Sequence, residues 1–189
     1  MTRILGLDPS QTTGWALYDT QAHLSAIRAG VMRVSRAEGG YEVKAAELGR
    51  QLTRLIREER PDFIAMEEPL RTLPAGRKPV KFMGEELEQT ESVGGILALI
   101  SSNQMAGACS AIIGAFGIPF ATISSGTWRK QFLGFGKRPG WVRADWKKAS
   151  RERCKALRIT VTNDDMADAV GVAFAASGLP QAKMIGRAA

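Results

Sequence analysis

Two apolar runs separated by a short polar turn, with an aspartate where the first run ends, constrain this chain more than any other feature of its sequence. The first run, residues 4–7, leads directly into Asp8, and the second resumes at Gly14 after a Pro-Ser-Gln-Thr-Thr turn. Short apolar runs that flank turn residues are typical of a β-hairpin. The pattern therefore predicts a buried hairpin whose first strand carries the Asp8 carboxylate to the edge of a sheet.

The later patterns predict alternating strands and helices. They indicate a third strand over 24–34, a helix from Tyr41 that stops before Pro61, a strand over 63–66, a loop over 70–81, helical residues 85–116, a strand over 118–123, a helix capped by Ser124-Ser125, a basic helix over 143–157 and a last helix from Asp164 or Asp165 to about Ser177. Hairpins followed by helical crossovers predict an α/β fold. Its mixed sheet would hold three antiparallel and then two parallel strands, with helices on both faces. We expect one domain over 1–189 with a frayed tail over 181–189.

Two further carboxylates suit the same edge of that sheet. Glu67 ends a predicted strand as Asp8 does, and the ends of neighbouring parallel strands meet where ligands collect in open sheets. Asp168 interrupts an apolar helical stretch, where an acid is unfavourable unless something binds it. It shares a helix face with Asp164 or Asp165. Like charges so placed favour a divalent cation, and oxygen ligands suit Mg²⁺ or Mn²⁺.

Positive charge is concentrated in residues 127–158, called the basic segment below. The chain carries a net charge of +7, but the basic segment alone holds eleven basic residues against two acidic ones. A polyanion such as nucleic acid is the natural partner of such a segment. Four more basic residues lie in the predicted loop before it. The candidate nucleic-acid-binding residues are Arg71, Arg77, Lys78, Lys81, Arg129, Lys130, Lys137, Arg138, Arg143, Lys147, Lys148 and Arg151.

Other residue types argue against several classes of protein. The only histidine, His23, has no Cys or Ser motif near it, which argues against a nucleophilic triad. Cys109 and Cys154 lack metal-ligand spacing and are expected to be buried free thiols in a reducing compartment. The sequence has no run of about 18 uninterrupted apolar residues, which argues against a membrane span. A predicted strand at the N-terminus leaves no room for a secretory signal. We therefore expect a cytoplasmic protein with no membrane partner.

The motifs and their order resemble the RuvC-like Holliday junction resolvases, which belong to the ribonuclease H-like superfamily. Residues 4–10, Ile-Leu-Gly-Leu-Asp-Pro-Ser, are similar to the opening strand of that family, and residues 64–67 to its second acidic strand. Residues 165–170, Asp-Met-Ala-Asp-Ala-Val, are similar to its closing helix. The match spans roughly residues 3–177 and implies a ribonuclease H-like fold. The long loop over 70–84 looks more similar to viral or prophage relatives, so we expect a bacterial or viral source.

The resemblance also implies an activity and a set of roles. It implies a homodimer that nicks two opposed strands of a four-way DNA junction with the help of Mg²⁺ or Mn²⁺, two ions in each active site. The implied metal ligands are Asp8, Glu67, Asp165 and Asp168. A family lysine that contacts the scissile phosphate would correspond to Lys147 or Lys148, and we take Lys147 as the catalytic candidate.

Glu68 and Leu70 depart from the family pattern. Glu68 adds an acid beside Glu67, and because alternate strand residues point to opposite sides we prefer Glu67 as the ligand. The family often has an aromatic residue near Leu70 that wedges between junction bases. A leucine could still wedge there but would stack poorly.

Three other functions fit parts of the pattern. A related nuclease that cuts RNA–DNA hybrids or branched DNA would use the same carboxylates and would depend on the 2′-hydroxyl in the hybrid case. The turn from Asp8 to Gly14 also resembles the first phosphate loop of kinase-like or actin-like folds, but those folds need a second lobe. A non-catalytic junction-binding protein is disfavoured, since four acids near DNA would weaken binding without metal.

Overall fold

The computed structural model describes residues 2–34, 38–72, 77–82, 85–90 and 93–188. The strands in these ranges are β1 (Arg3–Asp8), β2 (Thr12–Asp19), β3 (Arg28–Arg33), β4 (Phe63–Glu67), β5 (Arg77–Phe82), β6 (Glu85–Thr90) and β7 (Phe120–Ile123). The helices are α1 (Tyr41–Glu59), α2 (Val93–Ala115), α3 (Ser125–Leu133), α4 (Arg143–Ala156), α5 (Asp164–Ala176) and α6 (Pro180–Ala188).

Five of these strands form one mixed sheet in the order β3-β2-β1-β4-β7. Strand β2 pairs antiparallel with both β1 and β3, whereas β4 pairs parallel with both β1 and β7. Short connections join the first three strands, and short connections favour antiparallel neighbours. Helices α1 and α2 lie on the crossovers that bring β4 and β7 back parallel to β1. The predicted mixed five-stranded sheet is therefore confirmed.

Alternate residues of the central strands point to opposite faces of the sheet and build two cores. Ile4 and Phe63 belong to a core that α3, α4 and α5 cover. Their sequence neighbours Leu5 and Ile64 belong to a second core, which α1 and α2 cover. Helices thus lie on both faces, as predicted, and the face of a residue on β1 or β4 decides which helices its side chain can meet.

Residues 77–90 differ from the sequence prediction. The sequence predicts a loop over 70–81 and a helix from Glu85, but the structure has an antiparallel hairpin of β5 and β6, and α2 begins only at Val93. The pairing sets Lys81 opposite Glu86. This backbone pairing cannot be read from the helix-like composition of residues 85–90.

Two other boundaries differ. The predicted strand over 24–34 opens with a short 3-10 helix, Leu24–Ala26, and β3 begins at Arg28. The tail from residue 181 is helical rather than frayed up to residue 188, because α6 packs on the first core through Ile185 and buries Ala182. The capping prediction is correct, since the Ser124 side chain accepts a hydrogen bond from the Thr127 backbone N–H at the start of α3.

Helix α2 contains more apolar residues than the structure buries. Within the described residues, the segment Ile96–Ala115 is long and apolar enough to cross a membrane by length and composition, and 22% of it is buried. The sequence expectation overlooked it, because small polar residues interrupt the apolar run. Its C-terminal half packs against α1 in the second core through Met105, Cys109 and Ile113. Its N-terminal half leaves large apolar side chains exposed.

Candidate active site

Asp8 and Glu67 end two strands that lie side by side. Leu7 of β1 is paired with Met66 of β4 in parallel register, so the next residues along, Asp8 and Glu67, are neighbours at the same edge of the sheet. Both strands alternate in phase. Asp8 therefore lies on the same face as Ile4, and Glu67 on the same face as Phe63, which is the face covered by α5.

Helix α5 carries the other two carboxylates of the predicted set to this edge. It begins after Asn163, whose side-chain oxygen accepts a hydrogen bond from the Met166 backbone N–H. Asp165 and Asp168 follow on one helix face, and Asp168 is 3% exposed in an otherwise apolar stretch. Asp164, the open alternative for Asp165, points elsewhere and forms an ion pair with Arg151, Nη1 to Oδ1 3.2 Å.

Lys147 on α4 lies against these carboxylates, whereas the next residue, Lys148, does not. Its Nζ lies 2.6 Å from Oδ2 of Asp168 and 3.6 Å from Oδ1 of Asp165. The Lys148 side chain is 71% exposed and faces Glu152 on its own helix. The structure thus distinguishes the two lysines that the sequence left open, because only Lys147 lies against the carboxylates.

The titration of the central groups follows from their burial and their crowding. Burial raises the pKa of Asp8 well above its usual range, and the nearby charges of Glu67 and Asp168 raise it further. Burial also raises the pKa of Glu67. Burial alone would lower the pKa of Lys147, but Asp168, through its charge and its hydrogen bond, brings it above the ordinary value. Lys147 therefore stays charged at neutral pH, while Asp8 lacks a sufficient counter-charge.

Ser125 orients Glu67. The hydroxyl of Ser125, the first residue of α3, donates a hydrogen bond to Oε1 of Glu67, and this bond lowers the pKa of the carboxyl against the effect of burial. The adjacent Glu68 behaves differently. It is paired with the exposed Arg71, Nη2 to Oε1 3.1 Å. The sequence preference for Glu67 over Glu68 agrees with this difference in surroundings, although both residues border the same cleft.

The carboxylates open onto a cleft of about 730 Å³. One wall is formed by the turn after β1, by the residues that follow Glu67 and by part of α2, and a second wall by α3 and α4. Arg129, Arg143, Trp146 and Lys147 line that second wall. A strip of acids beside a wall of cations suits a substrate that is itself anionic and that needs its charge balanced on both sides.

The predicted nucleic-acid-binding residues do not all face this cleft. Of those described with side chains, Arg129, Arg143 and Lys147 line it, while Arg71 reaches its rim through its pair with Glu68. The other described members are exposed or engaged elsewhere: Lys130, Lys137, Arg138, Lys148 and Arg151. The backbones of Arg77, Lys78 and Lys81 lie on β5, and their side chains are outside the described part of the structure.

The atoms gathered at this edge of the sheet are of the type that binds a divalent cation. It consists of carboxylate oxygens, which Mg²⁺ and Mn²⁺ prefer, and the raised pKa of Asp8 indicates that a positive charge there would be favourable. Within the described ranges, however, no three acidic, His or Cys side chains are gathered closely enough to hold an ion as they stand. The ammonium of Lys147 supplies the counter-charge to Asp168 instead. A cation at Asp168 would therefore compete with Lys147.

Several residues of the site were not predicted from the sequence as part of it. Ser125 was recognised only as a cap, and Trp146 was not singled out, although it borders the cleft directly before Lys147. Leu70, where the family often has an aromatic residue, is also on the cleft wall and is 42% exposed. The interleaving of tryptophans with basic residues over 128–146 is the signal that could have indicated a wider site.

The nuclease activity that the sequence predicts is expected to fall at least about 100-fold when Glu67 is replaced by glutamine, whereas Glu68→Gln is expected to change it less than about threefold, because only the first alters the half-buried acid beside Asp8. The two variants differ by one position and change the same chemical group, so each controls for the other. Cleavage rates on one DNA substrate under single-turnover conditions would decide. Equal losses in both variants would contradict the assignment.

No family model and no curated protein sequence matches the chain. Similar solved structures include Thermus thermophilus RuvC in complex with a Holliday junction substrate, at 14% identity and a TM-score of 0.62, covering 93% of this chain and 92% of that one. A second Thermus thermophilus RuvC structure has 15% identity and a TM-score of 0.58, covering 92% of each chain. The yeast mitochondrial Holliday junction resolvase Ydc2 has 15% identity and a TM-score of 0.51, covering 100% of this chain and 86% of that one. This protein therefore has the ribonuclease H-like fold of the RuvC-like Holliday junction resolvases.

Proposed function

We propose that the protein is a metal-dependent endonuclease that resolves four-way DNA junctions by nicking two opposed strands as a homodimer. The observation that carries the proposal is the gathering of Asp8, Glu67, Asp165, Asp168 and Lys147 at one sheet edge, beside a cationic wall. Support for the substrate class comes from the fold, since the similar structures are junction resolvases. A cytoplasmic location is part of the same proposal.

The chain's own residues would prepare the phosphodiester for hydrolysis. Lys147 stays protonated at neutral pH, so it acts as a fixed positive charge toward a bound phosphate rather than as a base. Arg143 and Arg129 offer further donors from the same wall. Ser125 holds Oε1 of Glu67 in place through its hydrogen bond. These groups would hold the phosphate against the acids at the sheet edge.

Mg²⁺ or Mn²⁺ would be held by Asp8, Glu67, Asp165 and Asp168, and the bound ions would activate the attacking water and stabilise the leaving oxygen. A requirement for metal would also account for the presence of these acids in a DNA-binding cleft. Without a counter-ion they would repel the substrate backbone. Lys147 and the ion would then share the neutralisation of Asp168 before substrate binds.

The homodimer is proposed from α2. Ile96, Leu97 and Ile100 are 40%, 48% and 41% exposed, and they lie on the half of the helix that the two cores leave uncovered, where Leu97 also borders the cleft. An exposed apolar patch of this kind commonly marks an interface, and a second copy that presents the same helix would form a self-complementary contact. Two active sites in one dimer would account for paired nicks.

Incubation with Mg²⁺ of an immobile four-way junction, a matched linear duplex and an RNA–DNA hybrid tests the proposal directly. We expect paired, symmetric nicks confined to the junction. Cutting of the hybrid would leave the fold unchanged and favour a hybrid nuclease, and junction binding without cutting in either Mg²⁺ or Mn²⁺ would favour a non-catalytic binding protein. Size measurement by light scattering would test the dimer separately.

Arg143→Ala is expected to flatten the dependence of junction affinity on salt by roughly one unit of slope, because each phosphate contact releases about one counter-ion. Arg143 is exposed and lines the cleft wall. Arg57→Ala is the matched control, since Arg57 is an exposed arginine on α1 at the opposite face of the sheet. The slope is measured from binding titrations over a series of salt concentrations. An equal change in both variants would argue against the cleft as the DNA-binding surface.

A further inference from the structure

The connection between α3 and α4 gathers three aromatic rings on the surface beside the carboxylates. Trp141 packs edge-on against Phe135, with ring centroids 5.3 Å apart, and against Trp146 at 4.9 Å. Phe135 and Trp146 are 5.8 Å apart. All three side chains are half-buried. Trp146 also lines the cleft that holds the carboxylates. The rings therefore form one continuous aromatic surface that reaches the candidate active site.

Two arginines lie over these rings. The Arg129 guanidinium carbon is 4.8 Å from the Trp146 ring centroid. The guanidinium of Arg138 is 4.2 Å from the ring centroid of Phe135 and 5.3 Å from that of Trp141. In the part of the chain that the structure describes, no carboxylate lies within ion-pair distance of either arginine. The planar groups of both arginines are thus held by rings, and the exposed Arg138 charge is available to a ligand, whereas the Arg129 charge also acts on Glu67.

Packing of the fold does not account for this cluster. Phe135, Trp141 and Trp146 belong to neither of the two hydrophobic cores, although aromatic residues nearby in the sequence, such as Phe132, do. The loop that holds the rings turns through Gly134 and Gly140, both with positive φ. Large aromatic rings that are kept outside the cores and flanked by unpaired guanidinium groups are suited to stacking against another planar group.

We propose that Phe135, Trp141, Trp146, Arg129 and Arg138 form an aromatic–arginine platform that binds a nucleobase that has left the base stack near the scissile phosphate. Every nucleobase has an aromatic face, so such a platform recognises unstacked bases without regard to sequence. Arginine adds a planar cation that stacks on a base and attracts the neighbouring phosphate. The inference rests on the proposed function and names what the cleft recognises beyond the phosphate backbone.

The test compares two single-stranded probes of equal length and equal phosphate number, oligothymidine and an abasic oligonucleotide. Their electrostatic attraction to the basic segment is the same, so a difference in affinity reports contacts with bases. We expect the wild-type protein to bind oligothymidine at least about fivefold more tightly than the abasic probe, the lower limit for stacking of one base. In Trp141→Ala the ratio should fall toward one, while Trp141→Phe should retain part of it.

Charge and stacking are separated by a matched pair of variants. Arg138→Lys keeps the positive charge but loses the planar group, so it should lower the affinity ratio and leave the salt dependence unchanged. Lys137→Ala, at the neighbouring exposed position, should flatten the salt dependence and leave the ratio unchanged. Urea unfolding of both Trp141 variants checks that a lower ratio does not come from loss of the fold.

A wild-type ratio of one, or a ratio that Trp141→Ala does not change, would overturn the platform. Junction cleavage by the same preparations is scored in parallel, so the two proposals fail separately. A protein that cuts junctions but has no preference for base-bearing probes retains the proposed function and loses the platform. A protein that shows the preference but neither binds nor cuts junctions selectively retains the platform and loses the proposed function.

Discussion

Replacing Asp8 by asparagine is expected to slow junction cleavage at least about 1,000-fold, or roughly 4 kcal/mol of transition-state stabilisation, while junction binding is kept or strengthened. Asp8 is the proposed metal ligand at the centre of the acidic group. Loss of its charge weakens the hold on the ion and also removes a charge that repels the DNA backbone. Cleavage under single-turnover conditions and binding in the absence of metal measure the two effects independently.

The matched control is Asp19→Asn, which makes the same change on β2 at the far end of the β1–β2 hairpin, opposite Arg3. Asp19 accepts a hydrogen bond from the Gln21 backbone N–H, and asparagine can accept the same bond. Cleavage should be unchanged in this variant. An Asp8→Asn protein that cuts at the wild-type rate, or that loses folding and binding together, would count against the assignment of Asp8.

The same substitution is expected to stabilise the metal-free protein at neutral pH. Burial, followed by the charges of Glu67 and Asp168, raises the pKa of Asp8 in the folded state above its ordinary value of 3.8. The folded protein therefore holds this proton more tightly than the unfolded chain does. Its contribution to stability is present at low pH and is lost as pH rises from 3.8 through the raised pKa.

Asp8→Asn removes this loss of stability, so the variant should melt a few degrees above the wild type at pH 7. A change of about 1 kcal/mol in the free energy of unfolding corresponds to roughly 2–4 °C in melting temperature for a chain of this size. The difference should shrink as pH falls toward 4. Thermal unfolding across this pH range, with chelator and then with Mg²⁺, measures it. Mg²⁺ should raise the melting temperature of the wild type more than that of the variant. A lower melting temperature for metal-free Asp8→Asn would contradict the repulsion among these acids.

Gly14→Ala is expected to destabilise the protein by about 3 kcal/mol, the upper part of the usual range for an overpacked site. A Cβ at Gly14 would lie 1.9 Å from the Asp165 carbonyl oxygen and 2.4 Å from its carbonyl carbon. Because the obstructing atoms are backbone atoms at the start of α5, they cannot rotate away. The helix would have to shift from β2 and would carry Asp165 with it. Urea unfolding measures the loss, and cleavage should fall in the fraction that remains folded.

Gly107→Ala provides the matched control for this prediction. Gly107 lies within α2, and a Cβ there would meet nothing within 4 Å. Alanine favours a helix over glycine by about 0.8–1 kcal/mol, so this variant should be neutral or slightly more stable. If Gly14→Ala unfolded at the wild-type urea concentration, the close approach of α5 to the hairpin would be disproved.

The elements that follow from local pattern were predicted correctly. The apolar runs before Asp8 and Glu67 have the length of strands, and α1 has apolar residues at helical spacing up to a proline. The prediction for residues 77–90 was wrong. The composition of residues 85–90 favours a helix, whereas the pairing of β5 with β6 depends on a partner strand. Local propensity is a weak guide where cross-strand contacts decide the structure.

In the candidate site too, residues marked by a local pattern were predicted, and residues placed by packing were not. Asp8, Glu67 and Asp168 were predicted because a strand end or an apolar helix makes each acid conspicuous in the sequence. Nothing local distinguishes Lys147 from Lys148, since neighbouring helix residues differ only in the direction in which they point. Their exposures of 14% and 71% result from how α4 packs against α5.

The sequence by itself determined the order of the five strands of the main sheet, the strand ends at which two acids lie, and the positive charge of the basic segment, because these depend on the spacing and type of residues along the chain. The tertiary structure alone decided that Lys147 meets Asp168, that Ser125 holds Glu67, and that Trp141 and its neighbouring rings form a surface beside the cleft. Each of these contacts joins side chains from different elements or across a loop, and their geometry is fixed only when α3, α4 and α5 pack together on the sheet.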